Sequence, residues 1–231
     1  MEVNRKIKYE TLITILSIVI YVIVNSYCMN NFGMNSYKTV ICNLVLLVTI
    51  LIYVIKNKLC EYYGLVKITK YKEFLFYIPL FIIMSINLWN GINISNTKEE
   101  IIAHIFTMIC VGFLEEIIFR GFLFKMMEND NVKKAIIVTS LTFGLGHIVN
   151  LFNGADLVPT LIQICCAITI GFLFVTIFQK GKSLIPCIIA HIVINSTSIF
   201  GIENKISVYI VPIILVIVSI SYSLYIRKNI K

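Results

Sequence analysis

Three ionisable residues lie together inside a long apolar run of this 231-residue chain. Glu115, Glu116 and Arg120 fall within residues 101–127, where most other side chains are apolar. A charge at the centre of a membrane costs about 2.5 to 3.5 kcal/mol on insertion scales, so charges kept there are candidates for function. On a helix, Glu116 and Arg120 are four positions apart and share a face, which predicts an ion pair. Glu115 points about 100° away, so its carboxylate is left outside that pair.

Two histidines and an amide lie in later apolar runs at comparable depth. His147 follows Gly144 and Gly146, and His191 precedes Asn195 by one helical turn. At about 1.5 Å per residue, Glu115 and His147 lie roughly 18 Å from the lysine-rich ends of their helices, Asn195 about 16 Å and His191 about 10 Å. A carboxylate with a neutral imidazole can activate water, and a second histidine with an amide can stabilise an oxyanion. This combination predicts a peptidase.

The elements that must position these residues are membrane helices. The chain is 58% hydrophobic and 14% charged, which excludes an ordinary soluble domain. Because about 20 residues cross the hydrocarbon layer, the apolar runs predict an all-α bundle of eight spans. The runs are residues 11–29, 39–55, 74–89, 101–127, 135–152, 160–178, 184–200 and 208–226. We expect one membrane domain over residues 1–231, with the first run kept as a span.

The basic residues predict how the bundle is oriented. With loops assigned alternately to the two sides, sixteen of the twenty lysine and arginine residues fall on one side, whereas Lys38, Lys98 and Lys205 fall on the other. This asymmetry predicts that both termini are cytoplasmic. The net charge of +8 is then an orientation signal, and we expect no nucleic-acid partner. The basic loop at residues 56–73 is either a short interfacial helix or an irregular loop with interfacial tyrosines.

The cysteines do not suggest a disulfide framework or a thiolate zinc site. There are seven, mostly inside apolar runs, and no C-x-x-C pair occurs. One of them supports an alternative enzyme, because Cys187 and His191 are four apart and could form a cysteine peptidase pair. That alternative leaves Glu115 and His147 without a role.

Three motifs together resemble a known family. They are Glu-Glu-x-x-x-Arg at residues 115–120, Phe-x-x-x-His at 143–147 and His-x-x-x-Asn at 191–195. In this order, on the fourth, fifth and seventh runs, they resemble the CPBP intramembrane proteases. That family joins the CAAX prenyl proteases to the bacterial bacteriocin-processing and self-immunity proteins, also called the Abi family. The resemblance covers roughly residues 74–200.

The resemblance implies a role for each motif residue. Glu115 would be the general base, with His147 as its partner on the attacking water. His191 and Asn195 would stabilise the oxyanion, and Glu116 with Arg120 would order the site. The family carries a metalloprotease label, and zinc could be held by Glu115, His147 and His191. Because H-E-x-x-H is absent and asparagine is a poor zinc ligand, the sequence slightly favours a mechanism without tightly bound metal.

The sequence therefore predicts an intramembrane endopeptidase of a bacterial cytoplasmic membrane. It would cut a peptide or membrane-anchored protein near the cytoplasmic boundary of the bilayer. The main alternative is a non-catalytic protein of the same fold that binds a peptide, as an immunity factor does. A proton-coupled transporter would also keep buried Glu and His, but no inverted repeat supports it.

Overall fold

The computed structural model describes residues 2–70, 72–74, 77–202, 204 and 206–230, with side chains from residue 9 onward. Within these residues the chain is helical and forms no strand, which confirms the predicted all-α class. The helices are α1 (Glu2–Phe32), α2 (Tyr37–Lys56), α3 (Ile78–Ser85), α4 (Lys98–Glu116), α5 (Lys125–Glu128), α6 (Val132–Gly146), α7 (Val149–Phe152), α8 (Leu157–Gly181), α9 (Ile185–Thr197) and α10 (Ser207–Asn229). A π-helical segment, Ile117–Phe124, joins α4 to α5 without a break.

Each of the eight predicted apolar runs coincides with a helix, but the helices differ in length. Six are long and apolar enough to cross a membrane: Tyr9–Phe32, Tyr37–Lys56, Lys98–Glu128, Val132–Phe152, Leu157–Gly181 and Ser207–Asn229. The other two, Ile78–Leu88 and Ile185–Phe200, are shorter, and at 1.5 Å per residue they reach about 16 and 24 Å. The chain is a multi-pass membrane protein. Eight full spans and cytoplasmic termini remain predictions.

The loops gather at two ends of the bundle. At one end, which we call the basic end, the loop after α2 meets the turn after α8: Leu184 N–H donates to the Gly64 carbonyl at 2.8 Å, and Ser183 Oγ to the Val66 carbonyl at 2.7 Å. At the other end, which we call the far end, Thr107 Oγ1 donates to the Met34 carbonyl at 3.3 Å. Lys205, Lys231 and the side chains of Arg5, Lys6 and Lys8 lie outside the described residues.

The interfacial helix considered for residues 56–73 is wrong for the part described. Residues 57–70 and 72–74 form turns and irregular backbone. Tyr63 from this loop is 4% exposed, and Leu59 and Leu65 pack against the core. These three apolar residues of the loop therefore face the protein and not the lipid, which reduces the amphipathic face that an interfacial helix would need.

Two glycines allow the close helix crossings that bring the motif residues together. A Cβ added at Gly112 of α4 would lie 2.8 Å from Ile192 Cγ1 and 3.1 Å from Ile192 N in α9. A Cβ at Gly144 of α6 would lie 2.8 Å from Ile168 N in α8. Small residues at such crossings are typical of membrane helices, where backbones pack closely. Gly112 thus brings the helix of Glu115 and Glu116 onto the helix of His191.

Candidate active site

The predicted ion pair of the fourth run is present and fully buried. Arg120 Nη1 donates to Glu116 Oε1 at 2.9 Å, and both side chains have no solvent exposure. Arg120 lies in the π-helical segment, all of whose residues are buried. Its guanidinium is 4.0 Å from the ring centre of Phe143 and 5.6 Å from that of Phe174. Aromatic faces therefore hold the cation in an apolar layer, as cation–π attraction favours.

His191 lies between the two glutamates. Its Nδ1 is 2.8 Å from Glu116 Oε1, and its Nε2 is 3.3 Å from Glu115 Oε2. An ionised carboxylate only accepts hydrogen bonds, so Nδ1 carries the hydrogen in the contact with Glu116. Oε1 of Glu116 therefore accepts hydrogen bonds from both Arg120 and His191, and this fixes the plane of the imidazole. The other ring nitrogen faces Glu115.

Glu115 is held by a residue that the sequence reasoning missed. The phenol of Tyr21 in α1 donates to Glu115 Oε1 at 2.5 Å, and Asn25 Nδ2 donates to the Tyr21 oxygen at 3.0 Å. Tyr21 and Glu115 are both buried. The local signal was only a tyrosine and an asparagine four apart in an apolar run, which share a helical face. One oxygen of Glu115 is thus tied to α1, and the other lies beside His191.

His147 and Asn195 lie on the wall of the same cavity as Glu115 and His191. His147 caps α6, and its ring packs edge-on against Phe143 at 5.7 Å between centres; Phe143 is also 5.8 Å from His191. Asn195 is held through its backbone, because its carbonyl lies 3.0 Å from Nε2 of His104. His104 is buried and its Nδ1 lies 3.0 Å from Asn35 Oδ1, so both of its ring nitrogens have partners within the protein.

The cavity has a volume of about 390 Å³ and lies between α1 on one side and α4, α6, α8 and α9 on the others. Much of its wall is apolar, formed by Val22, Met29, Met34, Met108, Val111, Phe119, Phe143, Ala167, Ile170 and Ile194. Polar side chains line the part near the far end: Asn25, Ser26, Asn150, Asn153 and Gln163. An apolar pocket with a few convergent polar groups is the usual form of a substrate site.

The donor set does not fit a bound metal ion. Across the part of the chain that the structure describes, no group of three His, Cys, Asp or Glu side chains is arranged to hold one. His191 Nδ1 is engaged by Glu116 and its Nε2 contacts Glu115. His147 has its ring against Phe143. The zinc set considered from the sequence, Glu115 with His147 and His191, is therefore not assembled in this geometry.

Cys187 is placed poorly for nucleophilic chemistry. It is fully buried, and its Sγ donates to the Phe174 carbonyl at 3.3 Å. It is not among the residues that line the cavity. A thiol without access to the cavity cannot reach a substrate carbonyl there, so the geometry disfavours the cysteine peptidase alternative.

These features define a multi-pass helical membrane protein with a buried layer of two glutamates, an arginine and a histidine beside a cavity that a second, partly buried histidine also lines. Residues 97–197 match the family model of type II CAAX prenyl endopeptidases, Rce1-like. The match confirms the resemblance drawn from the three motifs, and its span contains all six predicted site residues. It implies a CAAX-protease-type peptidase that acts on a peptide or protein within the membrane. A comparison with curated proteins found no match.

Proposed function

We propose that this protein is an intramembrane endopeptidase in which Glu115 activates the attacking water. The observation that carries the proposal is the arrangement of the Glu115 carboxylate. Oε1 is held by Tyr21 at 2.5 Å, while Oε2 lies 3.3 Å from His191, and Glu115 lines the cavity. A general base needs one fixed and one available oxygen, because the proton it accepts must come from a defined direction.

The reaction can be written with the residues present. Glu115 takes a proton from water held with the help of His147, and the hydroxide adds to the scissile carbonyl. The resulting oxyanion accepts hydrogen bonds from Asn195 Nδ2 and from His191. The tetrahedral adduct then collapses, and the proton on Glu115 passes to the leaving amine. One water is consumed, and one carboxylic acid and one amine are formed.

The buried charges support His191 as a donor in this step. Glu115 and Glu116 each carry one negative charge when ionised, and Arg120 carries one positive charge. With both ring nitrogens protonated, His191 makes this group of four neutral, and Nε2–H becomes available to the oxyanion. Glu116 and Arg120 do not touch the substrate in this scheme. They are positioning residues that set the orientation of the imidazole.

The test is cleavage by purified protein in lipid, compared with a Glu115→Gln variant. A mixed peptide library is read by mass spectrometry for new termini. We expect cleavage by the wild type and at least a roughly 100-fold loss in Glu115→Gln, the scale of general-base catalysis. Glu99→Gln, at an exposed acid in the first turn of α4, is the matched control and should keep full activity.

The biological substrate can be sought in cells that carry the same variants. The secreted peptides and membrane proteins of wild-type and Glu115→Gln cells are compared, and a substrate accumulates uncut in the variant. Loss of a mature peptide would indicate peptide processing, and loss of bacteriocin tolerance would indicate self-immunity. Full biological activity in Glu115→Gln would instead establish the non-catalytic, peptide-binding alternative and contradict the proposed enzyme.

A further inference from the structure

We infer that the substrate reaches Glu115 from the far end of the bundle, as an uncharged peptide segment on the outer side of the membrane. The inference rests on the proposed function and adds the side of access and the chemistry of the substrate. The sequence placed the cut near the cytoplasmic boundary from helix depth alone. Depth gives the level of Glu115 in the bilayer, but it does not show from which end that level can be reached.

The cavity runs from Glu115 and His191 toward the far end. In α8 its lining residues lie between Gln163 and Ile170, in the half of the helix that begins at the far end. In α1 they lie between Tyr21 and Met29, in the half that ends there. In α9 and the turn after it, they run from His191 to Ser198, again toward the far end. α1 and α9 run toward the far end and α8 runs away from it. In all three helices the lining residues lie in the half nearer the far end, so the cavity lies in that half of the bundle.

The other half is closed by packed side chains. Phe119 and Phe143 meet edge-on at 5.3 Å, and the Arg120 guanidinium lies 4.0 Å from the Phe143 ring centre. Phe174 belongs to the same layer, 5.6 Å from the guanidinium, and Phe124 beyond it is fully buried in the core. Protein interiors are packed at the density of organic crystals. A peptide coming from the basic end would therefore have to displace the core, including the buried ion pair.

The mouth of the cavity has the chemistry of a peptide backbone. Ser26 Oγ donates to Asn153 Oδ1 at 2.8 Å, and Asn150 Nδ2 donates to Gln163 Oε1 at 2.9 Å. Carboxamide side chains both donate and accept hydrogen bonds, as peptide groups do. No lysine, arginine or aspartate lines the cavity in the part of the chain described. Glu115 lies at the inner end of the cavity and is already held by Tyr21 and His191. A charged side chain among the amides near the far end would therefore lose water without gaining a charged partner there, which is costly.

The distribution of lysines assigns the far end to the outer side. Lys56, Lys125 and Lys182 lie at helix ends or turns of the basic end, where Lys182 Nζ approaches Glu128 Oε1 at 3.5 Å. Lys38 and Lys98 lie at the far end, in the first turns of α2 and α4. Cytoplasmic loops carry the excess of lysine and arginine. The substrate is accordingly an exported or outer-leaflet peptide.

Thiol labelling in intact cells tests the side of access without requiring activity. Cys166 lines the cavity, so the wild type and Cys166→Ala are treated with an uncharged, sugar-linked methanethiosulfonate that does not cross the membrane, and the label is located by mass spectrometry. Two markers are placed in the Cys166→Ala background at exposed positions: Ala155→Cys at the far end and Lys133→Cys at the basic end. Cleavage is measured in parallel on the purified proteins, with and without label.

We expect Cys166 and the Ala155→Cys marker to be labelled from outside, at least about tenfold above Lys133→Cys, and labelled wild type to lose cleavage. Labelling of Ala155→Cys without Cys166 would overturn the access route and indicate access from the lipid. Labelling of Lys133→Cys alone would overturn the assigned side. If the labels fall as expected but the wild type cleaves no peptide, the proposed function fails while the cavity remains open to the outside.

Discussion

The phenol of Tyr21 donates a 2.5 Å hydrogen bond to Glu115, a residue 94 positions later in the chain. Tyr21 lies on α1, outside the segment at residues 97–197 that matches the protease family. The family segment therefore does not contain the whole site. A helix that precedes it holds the carboxylate that we propose as the general base, and it also forms one wall of the cavity.

Replacing Tyr21 by phenylalanine should lower kcat and leave KM within about twofold. The substitution removes one hydrogen bond to a charged group, which is worth about 1.5 to 3 kcal/mol, so the expected loss is about 10- to 100-fold. Steady-state cleavage kinetics measure it. Tyr27→Phe on the same helix, at a side chain that is 59% exposed, should match the wild type. A proportional rise in KM would instead indicate that Tyr21 contacts the substrate.

Asn25→Asp should reproduce the effect of Tyr21→Phe. Asn25 Nδ2 donates to the Tyr21 oxygen at 3.0 Å, whereas an aspartate of the same shape would accept the phenolic hydrogen and draw it from Glu115. In the Tyr21→Phe background the same substitution should change kcat little, because the phenol is already gone. Additive losses in the double variant would show that Asn25 acts independently of Tyr21.

Arg120→Met should destabilise the fold strongly. The substitution leaves the buried group of Glu115, Glu116 and His191 with one uncompensated negative charge, and breaking a buried pair in this way costs about 3 to 5 kcal/mol. The unfolding temperature in detergent and the yield of folded protein measure the effect. The matched control is Lys125→Met, because Lys125 pairs with Glu128 at 2.6 Å in a partly exposed position and should cost at most about 1 kcal/mol. Equal losses of stability in both variants would show that the buried Arg120–Glu116 pair contributes no more than a partly exposed pair.

Gly112→Ala should reduce both stability and cleavage. Its Cβ would lie 2.8 Å from Ile192 Cγ1 and 3.3 Å from Ile192 Cα, so α9 must move and carry His191 with it. Overpacking of this kind costs about 1 to 3 kcal/mol. Gly146→Ala is the control for stability, because a Cβ at Gly146 has nothing within 4 Å. An unchanged unfolding temperature in Gly112→Ala would show that the crossing has spare room.

Cleavage should persist after treatment with metal chelators, and Cys187→Ala should remain active. The first expectation follows from the ring nitrogens of His191, which face Glu116 and Glu115 at 2.8 and 3.3 Å and leave no assembled three-ligand set in the described chain. The second follows from the full burial of the thiol. Activity assays with phenanthroline and metal analysis of the purified protein check the former. Loss of activity that added zinc restores would contradict it.

The features that the sequence predicted well are local or repeated. The spacing of Glu116 and Arg120 was enough to predict their pair, and the apolar runs predicted every main helix. Contacts between distant segments left no local signal. Tyr21 meets Glu115 because of how α1 packs, and His191 meets Glu116 because Gly112 lets two helices approach. The direction of the cavity depends on which half of the bundle is filled by aromatic side chains, which no single run reveals.

The π-helical segment makes the site sensitive to chain length. A π-helix arises when a residue is added to an α-helical turn, and such wide turns are common at functional sites. Removing one of the three residues of this segment that precede Arg120 would let the helix return to the α form and rotate everything after it, Arg120 included, by about 100° relative to Glu115. Arg120 would then leave the layer that Phe143 and Phe174 form. Single-residue deletions here should be more harmful than substitutions at the same positions. The length of the segment sets the position of Arg120 relative to Glu115 and Glu116.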